Sequence, residues 1–388
     1  MKKIQIWGKK VRKKDFYHAL ICLLIFLGIV LSSLLFKQFE KPSNITNNIN
    51  THDKLTMTMV GDIMMGRNIQ NITNYYGSDY LFRYTRHFFE DSDYSSGNFE
   101  NPVLLDKKET YTKANKYIHL DTTKQSVITL KEMGFTMLNL ANNHMMDFNS
   151  KGLQETLQVF QKEKLDYVGA GNNLIDAKKI NYQDINGIKV ASLGFTDVIA
   201  PGSVATINSA GVLSMNPDNF VQQIYEAKNP EKGNADLVIV NVHWGEEYDT
   251  EVNPRQQALA KALVDAGADI IIGHHPHVLQ SFEIYKNSII FYSLGNFIFD
   301  QGWTRTKDSI LVKYYLRNDG MATVNVIPLQ INEGTPRPTS SWINVKRIHQ
   351  QLTKNTVDEN SWKIRGEIIE INLNHQKVLM NAKKRKQE

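Results

Sequence analysis

Five short polar clusters, each placed where an apolar run ends, constrain this 388-residue chain more than any other feature. They are Gly61-Asp62, Gly97-Asn98-Phe99-Glu100, Asn142-Asn143-His144, His243-Trp244-Gly245-Glu246-Glu247 and Gly273-His274-His275-Pro276-His277. Runs such as 55–60, 136–140, 190–195, 237–242, 270–272 and 289–292 have strand length and composition. Helical patterns lie between several of them: 122–133 closed by Gly134, 153–164, and 254–266, which opens on Pro254 and closes on Gly267. Strands alternating with helices predict a layered α/β domain. In such a sheet, groups at the carboxyl ends of strands converge although they are distant in sequence. Asp, Glu, Asn and His bind divalent cations and carry most acid–base chemistry. The five clusters therefore predict one site.

The formal charge of +5 is concentrated at one end. Residues 1–36 hold seven Lys or Arg against the single acid Asp15, leaving 38 basic and 39 acidic residues for 37–388. A nucleic-acid footprint across the domain is excluded on that balance. Residues 19–36 are uncharged and apolar, and 18–36 reads as a transmembrane signal anchor behind a basic segment, 1–17. The preceding charges predict a cytoplasmic N-terminus and an extracellular main domain, single-pass in the cell membrane. A cleaved signal peptide is the competing reading, although 32–36 offers no small-x-small site. Cys22, the one cysteine, lies inside this span, so the external domain uses no disulfides. Residues 37–54, Asn-rich and broken by Pro42, read as a polar linker. After residue 300 the pattern changes to strands at 310–316 and 322–329 around an Asp319-Gly320 turn. Residues 336–388 are weakly patterned and end in Lys383-Lys384-Arg385-Lys386, which predicts an extension with a solvated tail beyond a 55–335 domain.

Each cluster has a bland reading beside the functional one. Asp62 at a strand end either binds a cation or caps the next helix, and Arg67 contacts an anion or pairs with Asp62. Glu100 lies in a polar turn that Asn side chains alone can stabilise. Asn142-Asn143-His144 is harder to explain by packing, because every buried amide and imidazole needs a partner; Asp147 is placed to orient His144. His243 ends a strand, Trp244 suits a pocket wall, and Glu246 or Glu247 is either a surface charge or a general base. Three histidines within 274–277 are costly unless ligated or hydrogen-bonded. His275 and His277, flanking Pro276, can reach one site, while His274 suits a structural role. Asn296, in the run 292–301, closes the pocket.

Taken in order, Gly-Asp, Gly-Asn-x-Glu, Asn-Asn-His, His and His-x-His resemble the motifs of the calcineurin-like metallophosphoesterases. The longer strings VGDIMMGR (60–67), NLANNHM (139–145), HWGEEY (243–248), GHHPHVLQ (273–280) and YSLGNFIFDQ (292–301) are similar to the CapA, or PgsA, family of the poly-γ-glutamate capsule synthesis machinery of bacilli. That resemblance implies a four-layer α-β-β-α sandwich behind a membrane anchor. It implies a subunit that works with an ATP-dependent amide ligase and small membrane proteins to make or export poly-γ-glutamate. Carried onto this sequence, the metal candidates are Asp62, Glu100, Asn143, His243, His275 and His277, for Mn, Zn or Mg. His144, His243 and Glu246 are the catalytic candidates, and Arg67, Asn296, Arg305 and Lys307 the substrate-binding ones. The phosphoesterase pattern begins Asp-x-His, whereas Met64 stands here, so one ligand is missing and Glu100 replaces the usual bridging Asp. A weaker or single-metal site follows from that departure. A metal-dependent hydrolase or transferase that trims or releases the polymer, or acts on a phosphorylated carrier, is the alternative function.

Overall fold

The computed structural model describes residues 14–31, 53–356 and 360–387. The first thirteen residues, the end of the expected span at 32–36, linker residues 37–52 and Glu388 lie outside them. Lys14–Leu31 is one helix, long and apolar enough to cross a membrane, which fits either an anchor or a signal sequence.

The main body is built on two sheets. A ten-stranded sheet runs, in spatial order, Trp362–Arg365, Ile368–Asn374, Met321–Asn332, Asp308–Arg317, Asp53–Ile63, Tyr94–Phe99, Met137–Asn139 and Asp166–Val168, with Asn296–Ile298 and Thr335–Pro338 attached. A six-stranded sheet runs Phe282–Tyr285, Ser288–Phe291, Ile270–His274, Leu237–His243, Ile188–Thr196 and Asn181–Ile185. The central strands of both are parallel. They are buried on both faces, which explains why they read as continuous apolar runs rather than alternating ones.

Side-chain alternation sorts the layers. Leu55, Met57, Val190, Ile239, Ile272 and Val312 meet between the sheets. On the outer face of the large sheet, Val60, Phe99 and Leu138 pack under Val127, Leu130, Leu153 and Phe160 of helices Lys124–Glu132 and Asn149–Glu163. Outside the small sheet, Leu193, Val240 and Ile271 lie under Phe220, Ile224, Leu259 and Leu263 of Pro217–Lys228 and Pro254–Ala266. At roughly 1.5–3 kcal/mol per buried aliphatic or aromatic side chain, these faces hold the four layers together. The result is the expected α-β-β-α sandwich. Helix Pro254–Ala266 starts and stops where the sequence predicts, because Asn253 and Gln256 form a capping box, Pro254 occupies the first turn and Gly267 ends it.

The C-terminal expectation fails. Thr335–Pro338 crosses the expected boundary and pairs with Met321–Asn332. Ile368–Asn374 extends the large sheet, sending Ile369, Ile371 and Leu373 into the core between the sheets. The basic tail is the last turn of helix Gln376–Arg385, whose Val378 and Ala382 are buried and whose Arg385 pairs with buried Asp236 at 2.9 Å. One seven-residue alternation is a weak signal, and its pairing with residues some 50 positions earlier cannot be read locally.

Candidate metal centre

The polar clusters lie side by side across the two sheets. In the large sheet Asp62 is in register with Asn296 on one side and Asn98 on the other, and Asn98 with Asn139. In the small sheet His243 is in register with Thr196 and His274. A register shift between Met59 and Asp62 breaks the alternation of the first strand. Such a bulge re-aims a side chain, and here it coincides with the residue that enters the site. Gly61 is needed beside it: a Cβ there would lie 1.9 Å from the Gly295 carbonyl oxygen.

Asp62 is fully buried. Its Oδ1 accepts from the Asn98 amide at 2.8 Å, and its Oδ2 from the His275 backbone N–H at 3.3 Å. The His277 Nδ1 lies 3.2 Å from Oδ2 and also donates to Asn296 Oδ1 at 2.9 Å. Those two bonds fix the proton on Nδ1 and leave His277 Nε2 directed at Glu100, 3.7 Å away. Glu100 is fully buried and neither carboxylate oxygen has a hydrogen-bond partner. The Nδ1 of buried His275 is orphaned as well. Donor atoms of Glu100, His275 and His277 lie within 4.8 Å of one another, as do those of Asp62, Glu100 and His243. Buried polar atoms without partners cost about 1–3 kcal/mol each, so their convergence is the observation that fits a bound cation. His275 and His277 also hold positive φ angles of 99° and 56° on either side of Pro276. Strain of that kind persists where the surroundings over-determine it.

The electrostatics agree with a cluster that lacks a counter-charge. Burial would raise the Asp62 carboxyl, but the hydrogen bond and charge of His277, with His274 and Asn98, hold it below the usual range. Burial pushes Glu100 well up, with Asp62 and Glu247 adding to it against the pull of His277 and Lys116. Burial lowers His277, yet Glu100 and Asp62 overcome this and carry it to about 9. His275 falls to about 3 and His274 to about 4, chiefly through burial. His243 is depressed by burial and by the other histidines.

His243 and Asn143 serve each other. The Asn98 amide donates toward His243 Nδ1 at 3.2 Å, so Nε2 carries the hydrogen and donates to Asn143 Oδ1 at 3.0 Å. Ligation through either residue exchanges that bond for the cation. His144 donates from Nδ1 to Asp147 Oδ2 at 2.7 Å, the orientation expected from sequence, which leaves its Nε2 without a partner among the described residues. Asn142 is structural: its side chain accepts from the backbone of His144 and Met145 and donates to Phe99 and Asn98. Met64, at the position of the missing ligand, is buried and its sulfur accepts from the Gly66 N–H.

The remaining predicted residues divide. Glu246 and Glu247 are both exposed, and the charge of Glu247 helps to raise Glu100, His277 and Tyr248. Asn296 is fully buried and spends its amide on Gln301 and Thr306, so it orients His277 and does not face substrate. Arg67 pairs with Asp300, not Asp62, and lies over the Phe299 ring. Arg305 is exposed and Lys307 half-buried on the short helix Thr304–Lys307 at the rim. Two residues escaped the sequence reading. Asn98 bridges Asp62 and His243 while accepting from Asn139 and Asn142. Lys116 donates to the Asn143 carbonyl at 2.9 Å and pairs with Asp147 at 2.7 Å. The signal for Asn98 was its place two residues before Glu100; Lys116 sits in an unpatterned loop with none.

A two-sheet α/β sandwich with acidic and histidine donors buried at its converging strand ends defines a protein with a candidate cation-binding centre. The chain belongs to the bacterial capsule synthesis protein PGA_cap family, whose pattern matches residues 56–301. It is 54% identical over 383 residues to the capsule biosynthesis protein CapA of Bacillus anthracis, covering 99% of this chain and 93% of that one. It is 46% identical over 370 residues to the PGA biosynthesis protein CapA of Bacillus subtilis strain 168, covering 95% and 94%. Among solved structures, TT1561 of Thermus thermophilus aligns with 66% of this chain and 93% of its own, at 11% identity and a TM-score of 0.38.

Proposed function

We propose that this protein is a membrane-anchored, extracytoplasmic subunit of a poly-γ-glutamate capsule synthesis or export complex, with an amide ligase and small membrane proteins as partners. The observation that carries it is the near-full-length similarity to two proteins named for capsule and PGA biosynthesis. The helix Lys14–Leu31, with seven basic and one acidic residue in the first 36, supports a cytoplasmic N-terminus and an external main body. At the mouth of the centre, half-exposed Tyr248 packs on exposed Trp303 with ring centroids 4.6 Å apart. Tyr248 accepts from Gln301, which accepts from Asn296 behind His277. That rim, with Arg67, Arg305 and Lys307 beside it, suits a chain of flat amides carrying carboxylates.

A second reading has one observation in its favour: the orphaned Glu100 carboxylate. A scaffold has no use for a buried carboxyl group whose two oxygens lack hydrogen-bond partners. Glu100, His275 and His277 would hold a divalent ion, with Asp62 behind them, Mn, Zn and Mg being the metals to test. Such an ion would act as a Lewis acid toward a carbonyl or phosphoryl oxygen. His144, fixed by Asp147 and Lys116, would hold or release a proton at Nε2. The enzyme would then trim or release the polymer or act on a phosphorylated carrier.

Complementation of a capsule-deficient strain separates the readings. The wild-type gene restores polymer. The triple variant Asp62→Ala, His144→Ala, His275→Ala, present in the membrane at wild-type level, leaves capsule unchanged if the protein only scaffolds. Polymer of altered length or retention points to catalysis. A wild-type gene that restores nothing, together with no polymer association of the purified protein, overturns the proposal.

A further inference from the structure

Residues 100–123 connect strand Tyr94–Phe99 to helix Lys124–Glu132 with only one short 3-10 turn, Lys108–Thr110. Loops without structure of their own beyond roughly 12–15 residues usually have a function. Asp147, the residue that orients His144, gathers the second half of this one. Its carbonyl accepts from the Ala114 N–H at 2.9 Å, its Oδ2 accepts from the Leu120 N–H at 2.7 Å, and its Oδ1 pairs with Lys116 at 2.7 Å. His119 donates from Nε2 to the Ala114 carbonyl at 2.8 Å. Between these fixed points Tyr117 is fully exposed and Ile118 more than half exposed. Lys113, also exposed, has no acidic partner among the described residues. A bare ring on a pinned backbone loses little freedom when a ligand covers it.

The position of this loop supplies a second observation. Trp303 and helix Thr304–Lys307 lead into strand Asp308–Arg317, which runs antiparallel to Asp53–Ile63 and so starts at the end where Asp62 lies. Lys116 donates to the Asn143 carbonyl at 2.9 Å, just beyond strand Met137–Asn139. The sheet order is Asp308–Arg317, Asp53–Ile63, Tyr94–Phe99, Met137–Asn139. The Trp303 rim and the Tyr117 loop therefore flank Asp62 and Asn98 from opposite sides, on strands three spacings or about 14 Å apart. Each arm joins an exposed aromatic ring to cations: Trp303 to Arg305 and Lys307, Tyr117 to Lys113 and Lys116. Ammonium and guanidinium groups suit carboxylates, and the rings suit flat amides and methylenes. One arm would serve to hold a chain by its end; arms on both sides fit a chain that passes across.

We propose that the two arms form one track, on which a γ-linked glutamate polymer lies across the centre with its interior rather than its end over Glu100 and His275, and that Tyr117 and Lys113 are its second anchor. The inference rests on the polymer reading above and adds the path that the polymer takes.

The test is calorimetric titration of the full chain in detergent with synthetic γ-glutamate oligomers of about twenty units, which at about 6 Å per extended unit reach across both arms. They are used free, or capped by acetylation of the amine and amidation of the terminal γ-carboxyl. Capped and free oligomers bind equally. Tyr117→Ala and Lys113→Ala each weaken binding about tenfold, and the effect of Lys113→Ala fades at high salt. Both variants keep the wild-type melting temperature, because neither side chain is packed. Capping that abolishes binding shows that the centre receives a chain end, and overturns the proposal. Loop variants that bind like wild type while Trp303→Ala binds weakly also overturn it, and leave the polymer reading standing. A wild-type protein that binds neither oligomer removes both.

Discussion

Glu100→Gln tests whether the buried cluster is a cation site. Glu100 is sealed from solvent, its two oxygens have no partner, and the nearest imidazole nitrogens are His277 Nε2 at 3.7 Å and His243 Nε2 at 3.8 Å. With His275 Nδ1 this makes three orphaned polar atoms, each costing about 1–3 kcal/mol in the metal-free fold. A cation that binds only the folded chain stabilises it by about 2.7 kcal/mol at a hundredfold excess over its dissociation constant. For a body of this size the unfolding entropy is about 0.7 kcal/mol/K, so the melting temperature rises by about 4 °C. Glutamine preserves the volume but brings no negative charge, and the shift should shrink to less than about 1 °C at the same concentration. The assay is circular-dichroism melting of the full chain with EDTA and then with Mn, Zn or Mg chloride, paired with bound-metal analysis. A wild-type protein that no ion stabilises, or a variant that retains the full shift, refutes the cation-site argument.

Three further outcomes follow from other parts of the fold. Gly61→Ala places a Cβ against the Gly295 carbonyl, parting the strand pair that carries the Asp62 N–H to Gly295 bond. Stability should fall by about 3 kcal/mol or more in urea titration, and an unchanged midpoint sinks the reasoning. Lys313 is buried against the Phe88 carbonyl and Ser92, and burial holds its amine down to about 8 from 10.5, although Asp91 and Asp93 pull it upward. Below pH 8 the cost of burying the ammonium is fully present. Between 8 and 10.5 the unfolded chain keeps a proton that the folded one lacks, so stability rises by up to about 3 kcal/mol. The stability difference between wild type and Lys313→Met should therefore grow in favour of wild type across that window, and a flat difference contradicts it. Trp303→Ala removes half the aromatic rim and should weaken co-sedimentation with poly-γ-glutamate about tenfold without moving the metal-dependent melting shift. Equal binding by both proteins removes the rim from the polymer reading.

The parts of the site legible in the sequence share one property: each lies directly after an apolar run. Asp62, His243, His275 and His277 stand out because polar groups at strand ends need a reason to be there. Asn98 lies in a strand end too, yet its role exists only when four strands bring Asp62, Asn139, Asn142 and His243 within its reach. The choice between Glu246 and Glu247 had no basis in pattern, because a loop leaving a strand has no period to assign a side. In the structure both are exposed, and the charge of Glu247 acts on Glu100 and His277.

Asn296 teaches the reverse lesson. Its place in the run 292–301 made it a pocket-closing, substrate-binding candidate, but its register opposite Asp62 buries it behind His277. A polar residue at a strand end can therefore be aimed outward at a ligand or inward at the group that meets the ligand, and sequence gives both the same appearance. Hydrogen-bond capacity distinguishes them. Asn296 has its carbonyl and amide occupied by His277, Gln301 and Thr306, so it is a support. Glu100 has both oxygens idle, although it is buried as deeply. Of the two, only Glu100 still has capacity for a ligand, which is why the case for a cation centre rests on that residue more than on the number of histidines around it.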